Sequence, residues 1–184
     1  MIRTEPIPDT DSEGLLPFPK LRSRALGQGQ AEFCGVVTVP AIQIIDVGAA
    51  ARNESPKETE KPDNIHLQTM LRSGRHALRY LGQVGFLTKR SGNPFPSFVS
   101  VGRAANNDIV LGIESVSNLH AYFTIVDDAW QLTDHNSTNG TRLNGEVIEP
   151  SKATPVADMD ELQFGTEIRA VFLAPESLYA RARG

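Results

Sequence analysis

The sequence predicts an all-β fold, a two-sheet β-sandwich, and three observations carry that prediction. From about residue 83 onward, short runs rich in Val, Ile, Leu, Phe and Tyr recur at close spacing, as strands do. Turn formers separate these runs: Ser91-Gly92-Asn93-Pro94, Asn106-Asn107-Asp108, Asp127-Asp128, Asn139-Gly140, Asn144-Gly145 and Phe164-Gly165. No helical period interrupts the series before residue 175. Many short strands of this kind bury their apolar faces by packing one sheet on another.

The strands are expected at 84–88, 98–101, 109–111, 120–126, 130–134, 141–143, 147–148, 161–164 and 168–173. Before them the chain reads differently. Residues 1–63 read as a largely irregular, partly disordered extension, because Pro6, Pro8, Pro17 and Pro19 stand among charges in the first ~32 residues with no apolar period. Within it, 33–47 is rich in β-branched residues and reads as a strand pair bent at Pro40 or as a segment docked on the sandwich. Ile65, Leu67, Met70, Leu71, Leu78 and Leu81 recur every three or four positions. They predict a connecting helix over 64–82, capped by Asp63 or Asn64 and stopped at Gly82. The sandwich occupies 83–175, and 176–184 forms a short terminal helix or tail with Pro175 in its first turn.

Composition narrows the function. The 184 residues carry a net charge of −4, which offers no basic field to nucleic acid. The single cysteine, Cys34, rules out an internal disulfide, suits a reducing compartment and reads as a small apolar residue. Acids and prolines stand at the start where a secretory signal has an apolar core, and no apolar run reaches membrane length. A soluble, cytoplasmic protein is the expectation. His66 and His76 are ten apart without a carboxylate or thiol at ligand spacing, so neither a metal nor a cofactor is expected.

The chemistry sits in three polar loops. They carry Gly102-Arg103, Asn106-Asn107-Asp108-Ile109-Val110-Leu111, Ser117-Asn118-Leu119-His120, Ser137-Thr138-Asn139-Gly140-Thr141 and Leu143-Asn144-Gly145. They carry one arginine, several hydroxyls and several side-chain amides, and no nucleophile stands with a base in triad logic. Such groups hold an anion and lack the means to cut a bond. In order and spacing these motifs resemble the forkhead-associated (FHA) domain, a phosphothreonine-peptide binding module; the resemblance covers about residues 81–175.

That resemblance implies an FHA-type sandwich and a non-enzymatic role in Ser/Thr-kinase signalling. The partner is then a phosphothreonine-containing protein or peptide, such as a Ser/Thr kinase or its substrates. The resemblance maps phosphopeptide contact onto Arg103, Ser117, Asn118, Thr138 and Asn139. A phosphothreonine brings a charge near −2, three acceptor oxygens and a methyl. Arg103 stays charged and grips phosphate oxygens bidentately; read without the family, it is first a surface arginine neutralising Asp108 or Glu114. The Ser117 hydroxyl donates to phosphate, or bonds its own backbone in a turn. Asn118 offers a neutral amide where many family members carry a cation. Thr138 bonds phosphate or frames the methyl, and Asn139 offers donors and an acceptor to the peptide main chain. Asn139-Gly140 also fits a type I′ hairpin.

Gly102, Asn107, His120, Gly140 and Asn144 read as structural supports, with His120 bracing the Ser117 loop as the family implies, and Asp108 orienting a loop. Asn106, Glu114, His135 and Asn136 are candidates for reading residues beside the phosphothreonine. The alternative is an FHA scaffold that assembles proteins without regard to phosphate; an Arg103 buried in an ion pair would favour it. Thr4, Thr10 and Thr59 stand in exposed-looking stretches, and a phosphorylated one could dock into the site and block it.

Overall fold

The computed structural model describes residues 10–48 and 76–184. Two sheets pack face to face, and helices cover the outer side of the larger one. The strands are β1 (Leu15–Pro17), β2 (Ala41–Val47), β3 (Gln83–Phe86), β4 (Val99–Gly102), β5 (Ile109–Val110) and β6 (Ala121–Val126). They continue as β7 (Ala129–Asp134), β8 (Thr141–Leu143), β9 (Glu146–Val147), β10 (Thr154–Pro155), β11 (Glu161–Phe164) and β12 (Ile168–Leu173). The helices are α1 (Phe18–Gly27), α2 (Gln30–Val36) and α3 (Pro175–Arg183). One sheet runs β1-β3-β2-β12-β11-β8-β9, the other β10-β7-β6-β4-β5. The β4–β5 pair is parallel; the remaining pairs are antiparallel.

Alternation along the strands sorts residues between two cores. Ile42 and Ile44 of β2 point into the sandwich with Phe123, Leu132, Phe164 and Phe172. A register shift at Arg169/Ala170 leaves Ile45 unpaired in the ladder, so Val47, three residues after Ile44, returns to the same core. On the opposite face Val84, Phe86, Val171 and Leu173 meet Leu21 and Ala25 of α1, Phe33 of α2, and Leu178 and Ala182 of α3.

The N-terminal stretch corrects the sequence reading. Residues 10–32 are not an irregular arm where they are described: they form β1, α1 and the start of α2. The prolines misled because they are read as breakers. Pro17 is the N-cap of α1 and Pro19 lies in its first turn, where a missing N–H costs nothing. Nor do residues 33–47 bend as a strand pair at Pro40. Phe33 is helical, and the strand begins only after Pro40. This strand does not dock on a finished sandwich; β2 lies between β3 and β12 inside the larger sheet. Of the helix expected over 64–82, residues 64–75 lie outside the described ones. Residues 76–78 are helical, and Gly82 adopts φ +74 just before β3. The strand β10 escaped notice because it is two residues long and contains Pro155.

The N-terminal segment also clasps the smaller sheet. The Val110 amide donates to the Glu13 carbonyl at 2.9 Å, so residue 13 covers the free edge of β5 before β1 joins the other sheet. Gly14, at φ +76, passes so close to β5 that a Cβ there would sit 2.1 Å from the Asp108 carbonyl oxygen. A chain starting at residue 76 therefore lacks both an interior strand and the edge cover. It is expected to show no cooperative urea transition and a collapsed amide NMR spectrum, whereas the full chain shows both a transition and dispersed amides.

Candidate functional site

Three loops meet at one end of the sandwich: 103–108 between β4 and β5, 111–120 between β5 and β6, and 135–140 between β7 and β8. Their main chains are tied directly. The amides of Arg103 and Ala104 donate to the carbonyls of Ser117 and Asn118, at 2.9 and 3.1 Å. Gly102 makes this approach possible, since a Cβ there would lie 2.4 Å from the Asn118 carbonyl oxygen. Asn107 is buried, and its side-chain amide donates to the carbonyls of Ala104 (2.8 Å) and Asn118 (2.7 Å).

His120 fastens the second loop to the third. Its Nδ1 accepts the Ser117 amide at 3.1 Å, so the proton resides on Nε2, which donates to the Gly140 carbonyl at 3.2 Å. The ring is fully buried and stands edge-on to Phe164, centroids 6.0 Å apart. Burial lowers its pKa below the ordinary 6.5, against the opposing pull of the Asp134 carboxylate and the Gly140 bond. Asp134 holds the same loop from below. It accepts from the Ser137 amide (2.9 Å), the Ser137 hydroxyl (2.6 Å) and the Thr141 hydroxyl (2.6 Å). Burial alone would raise its pKa, but these donors outweigh burial and hold the carboxyl below its usual range.

The result is a cluster of the predicted ligand residues. Arg103 is exposed; its Nε donates to the Val116 carbonyl at 3.1 Å, which aims the guanidinium while leaving its terminal nitrogens without a partner among the described residues. The Thr138 amide donates to the Ser117 hydroxyl oxygen at 3.0 Å, and the two hydroxyl oxygens lie 3.4 Å apart. Asn139 is exposed and its side-chain amide donates to the Ser115 carbonyl at 2.9 Å, bridging back to the loop of Ser117. Gly140 alone of that pair takes a positive φ, +76, so the turn is not the type I′ hairpin that Asn139-Gly140 also fitted. Asn118 is exposed beside Ser117. Asn144 stands apart from the cluster: at φ 51 before Gly145 it makes the β8–β9 turn and bonds Asp160 and Glu161. Asn106, Glu114, His135 and Asn136 are exposed around the rim, and Asn136 bonds the Ser151 hydroxyl.

Asp108 has a partner that the sequence did not suggest. Its carboxylate takes Lys89 Nζ at 2.7 Å, the Arg90 and Ser100 amides at 2.7 and 2.8 Å, and the Ser100 hydroxyl at 3.1 Å. Lys89 also donates to the Phe98 carbonyl at 2.9 Å. Asp108 is therefore not the neutralising partner of Arg103, and among the described residues Glu114 is not either. The missed positions are Lys89, Ser100 and Asp134. Only Asp134 carried a signal, a carboxylate three residues before a serine at a turn. Thr4, Thr59 and His66 lie outside the described residues. Thr10 lies in a groove with Arg90, Ser91 and Asn93. Among the described residues no His, Cys, Asp or Glu group has metal-holding geometry, and no helix is long and apolar enough to cross a membrane.

Residues 99–165 match the FHA domain family model, spanning the three loops and the strands that carry them. That match lies within the C-terminal half of the chain. Over 74 residues it is 38% identical to the glycogen accumulation regulator GarA of Mycolicibacterium smegmatis, covering 40% of this chain and 44% of that protein. It is 39% identical over 75 residues to the oxoglutarate dehydrogenase inhibitor of Corynebacterium glutamicum, covering 41% and 50%. A longer match, 26% over 144 residues, joins it to the oxoglutarate dehydrogenase inhibitor of Corynebacterium diphtheriae, covering 78% and 90%. In the first two matches the aligned part spans about half the relative's length or less.

Two consequences are measurable. As pH falls through about 6.5, the unfolded chain protonates at His120 and the folded chain does not. The stability of the neutral imidazole is thus complete above that pH and drains away as pH drops toward the lowered folded value. Urea unfolding between pH 7.5 and 5.5 is expected to show this loss, and His120→Gln to flatten it. Removing Asp108 with Asp108→Ala leaves Lys89 buried without its counter-ion and is expected to cost about 3–5 kcal/mol. Opening the exposed Arg169–Asp46 pair with Arg169→Ala is expected to cost under ~1 kcal/mol by the same measurement.

Proposed function

We propose that this protein binds a phosphothreonine-containing peptide or protein partner at the three-loop end of its FHA domain, and that it acts in Ser/Thr-kinase signalling without catalysing a reaction. One observation carries the reading. Arg103, Ser117, Thr138 and Asn139 converge at an exposed edge, and Arg103 enters no ion pair among the described residues. An aimed guanidinium with free terminal nitrogens beside two hydroxyls fits a dianion better than a neutral side chain. Thr138 and Asn139 are exposed and Ser117 is half-buried beside them, so a ligand laid across the loops meets all three. Asn118 contributes a neutral amide in place of a second cation, so affinity rests more on geometry than on charge.

The phosphate-independent scaffold gains no support, because Arg103 is exposed and enters no ion pair among the described residues. The relatives support a regulatory role: one is a glycogen accumulation regulator and the other an oxoglutarate dehydrogenase inhibitor. A cytoplasmic setting fits a kinase-made ligand and a chain with a single thiol, Cys34, which can form no disulfide within the chain. Calorimetry with a phosphothreonine peptide library is expected to give micromolar binding, roughly −8 kcal/mol, for the best sequences. Arg103→Ala is expected to weaken it at least ~30-fold with thermal stability preserved. Equal affinity for phosphorylated and unphosphorylated peptides would overturn the proposal.

A further inference from the structure

Four aromatic rings lie outside both hydrophobic cores and touch in a row. Phe95 and Phe98 are stacked at 5.0 Å between centroids, Phe98 meets Tyr122 at 4.5 Å, and Tyr122 meets the edge of His135 at 6.1 Å. None of the four belongs to the sandwich core or to the helix-covered core. His135 is exposed and the other three are half-buried.

The ladder fixes where this strip lies. Ala121, Phe123 and Leu132 point into the sandwich, so Tyr122 stands on the outer face of the smaller sheet, opposite Thr133 and beside Ser100. His135 continues that face one step beyond the strand, where its amide donates to the His120 carbonyl at 2.9 Å. The strip therefore begins on the loop that carries Thr138 and Asn139 and runs away from the site toward the 91–98 loop. Its far end is built rigidly. Asn93 donates to the Ser100 hydroxyl at 2.7 Å and accepts the Phe95 amide at 2.8 Å, and Ser100 bonds the buried Asp108. Phe98 offers its carbonyl to Lys89. The Tyr122 hydroxyl makes no hydrogen bond among the described residues.

We propose that this strip is a specificity surface that takes an apolar or aromatic side chain of the phosphorylated peptide, on the flank that leaves the site over His135. The proposal rests on the phosphothreonine reading of the site and names what else the ligand carries. Continuity decides the occupant: the strip starts three residues from Thr138, so a ligand held there reaches it without a second partner. Extended peptide advances about 3.3 Å per residue, which lets roughly five residues span the rings. Rigid half-exposed rings lose little entropy on contact; each presents a face, and Tyr122 and His135 add a polar tip. The four residues of the strip include no Lys or Arg to pair with a flanking acid.

The test uses the full chain and phosphothreonine peptides in which Leu or Phe replaces Ala at each of the five positions on either side. Fluorescence polarisation is expected to show one position, on one flank only, where the apolar residue tightens binding about tenfold. In Tyr122→Thr and in His135→Ala that ratio is expected to fall toward one, while melting temperature and dependence on the phosphate persist. A ratio near one at every position in the wild type overturns the proposal, as does a tenfold ratio that survives both variants. Loss of phosphate dependence in the wild type is a separate result, which defeats the phosphothreonine reading and removes the basis of this one.

Discussion

The site depends on one buried imidazole. His120 accepts the Ser117 amide with one nitrogen and donates to the Gly140 carbonyl with the other, and only the neutral ring performs both roles. Burial keeps it neutral. This fixes the loop of Ser117 and the loop of Thr138 relative to each other, close enough for the Thr138 amide to rest on the Ser117 hydroxyl. Arg103 joins them through main-chain bonds that only a glycine at 102 permits. Preorganisation of this kind spends folding energy so that a ligand meets donors already in place.

A second buried polar cluster supports the other side of the same sheet. Asp108 collects Lys89, two amides and a hydroxyl, and through Ser100 and Asn93 it sets the 91–98 loop. A carboxylate stripped of water needs that many donors to be tolerated. It thus anchors both the 103–108 loop of the site and the aromatic strip on the outer face. The larger sheet has the opposite character. Its outer side is buried beneath α1, α2 and α3, and β2 from the N-terminal segment completes it.

The loops were legible in the sequence because their function and conformation both need particular residue types. A glycine at a close crossing, an asparagine that bonds backbone, and hydroxyls beside an arginine are rare combinations in fixed order. Nine strands were legible from β-branched and aromatic runs between turn formers, with ends displaced by up to two residues. The N-terminal elements were not. Residues 15–36 take their stability from a sheet far along the chain, against which Leu21, Ala25 and Phe33 pack, and so few apolar residues show no period by themselves. Lys89 gave no sign of its role, because a lysine in a charged turn is ordinarily solvated. Its burial follows from the partner nineteen residues away. The turn at Asn139-Gly140 was legible as a turn but not in type, since neighbouring loops hold Asn139 through Ser115.

The most direct test is an amide NMR titration of the full chain with a phosphothreonine peptide and with its unphosphorylated twin. The account predicts that the phosphorylated peptide shifts the amides of Arg103, Ser117, Thr138 and Asn139 and the Arg103 Nε–H most strongly, while the twin leaves them in place. Equal shifts from the two peptides, or shifts concentrated on α1–α3 with these loops unmoved, would contradict it.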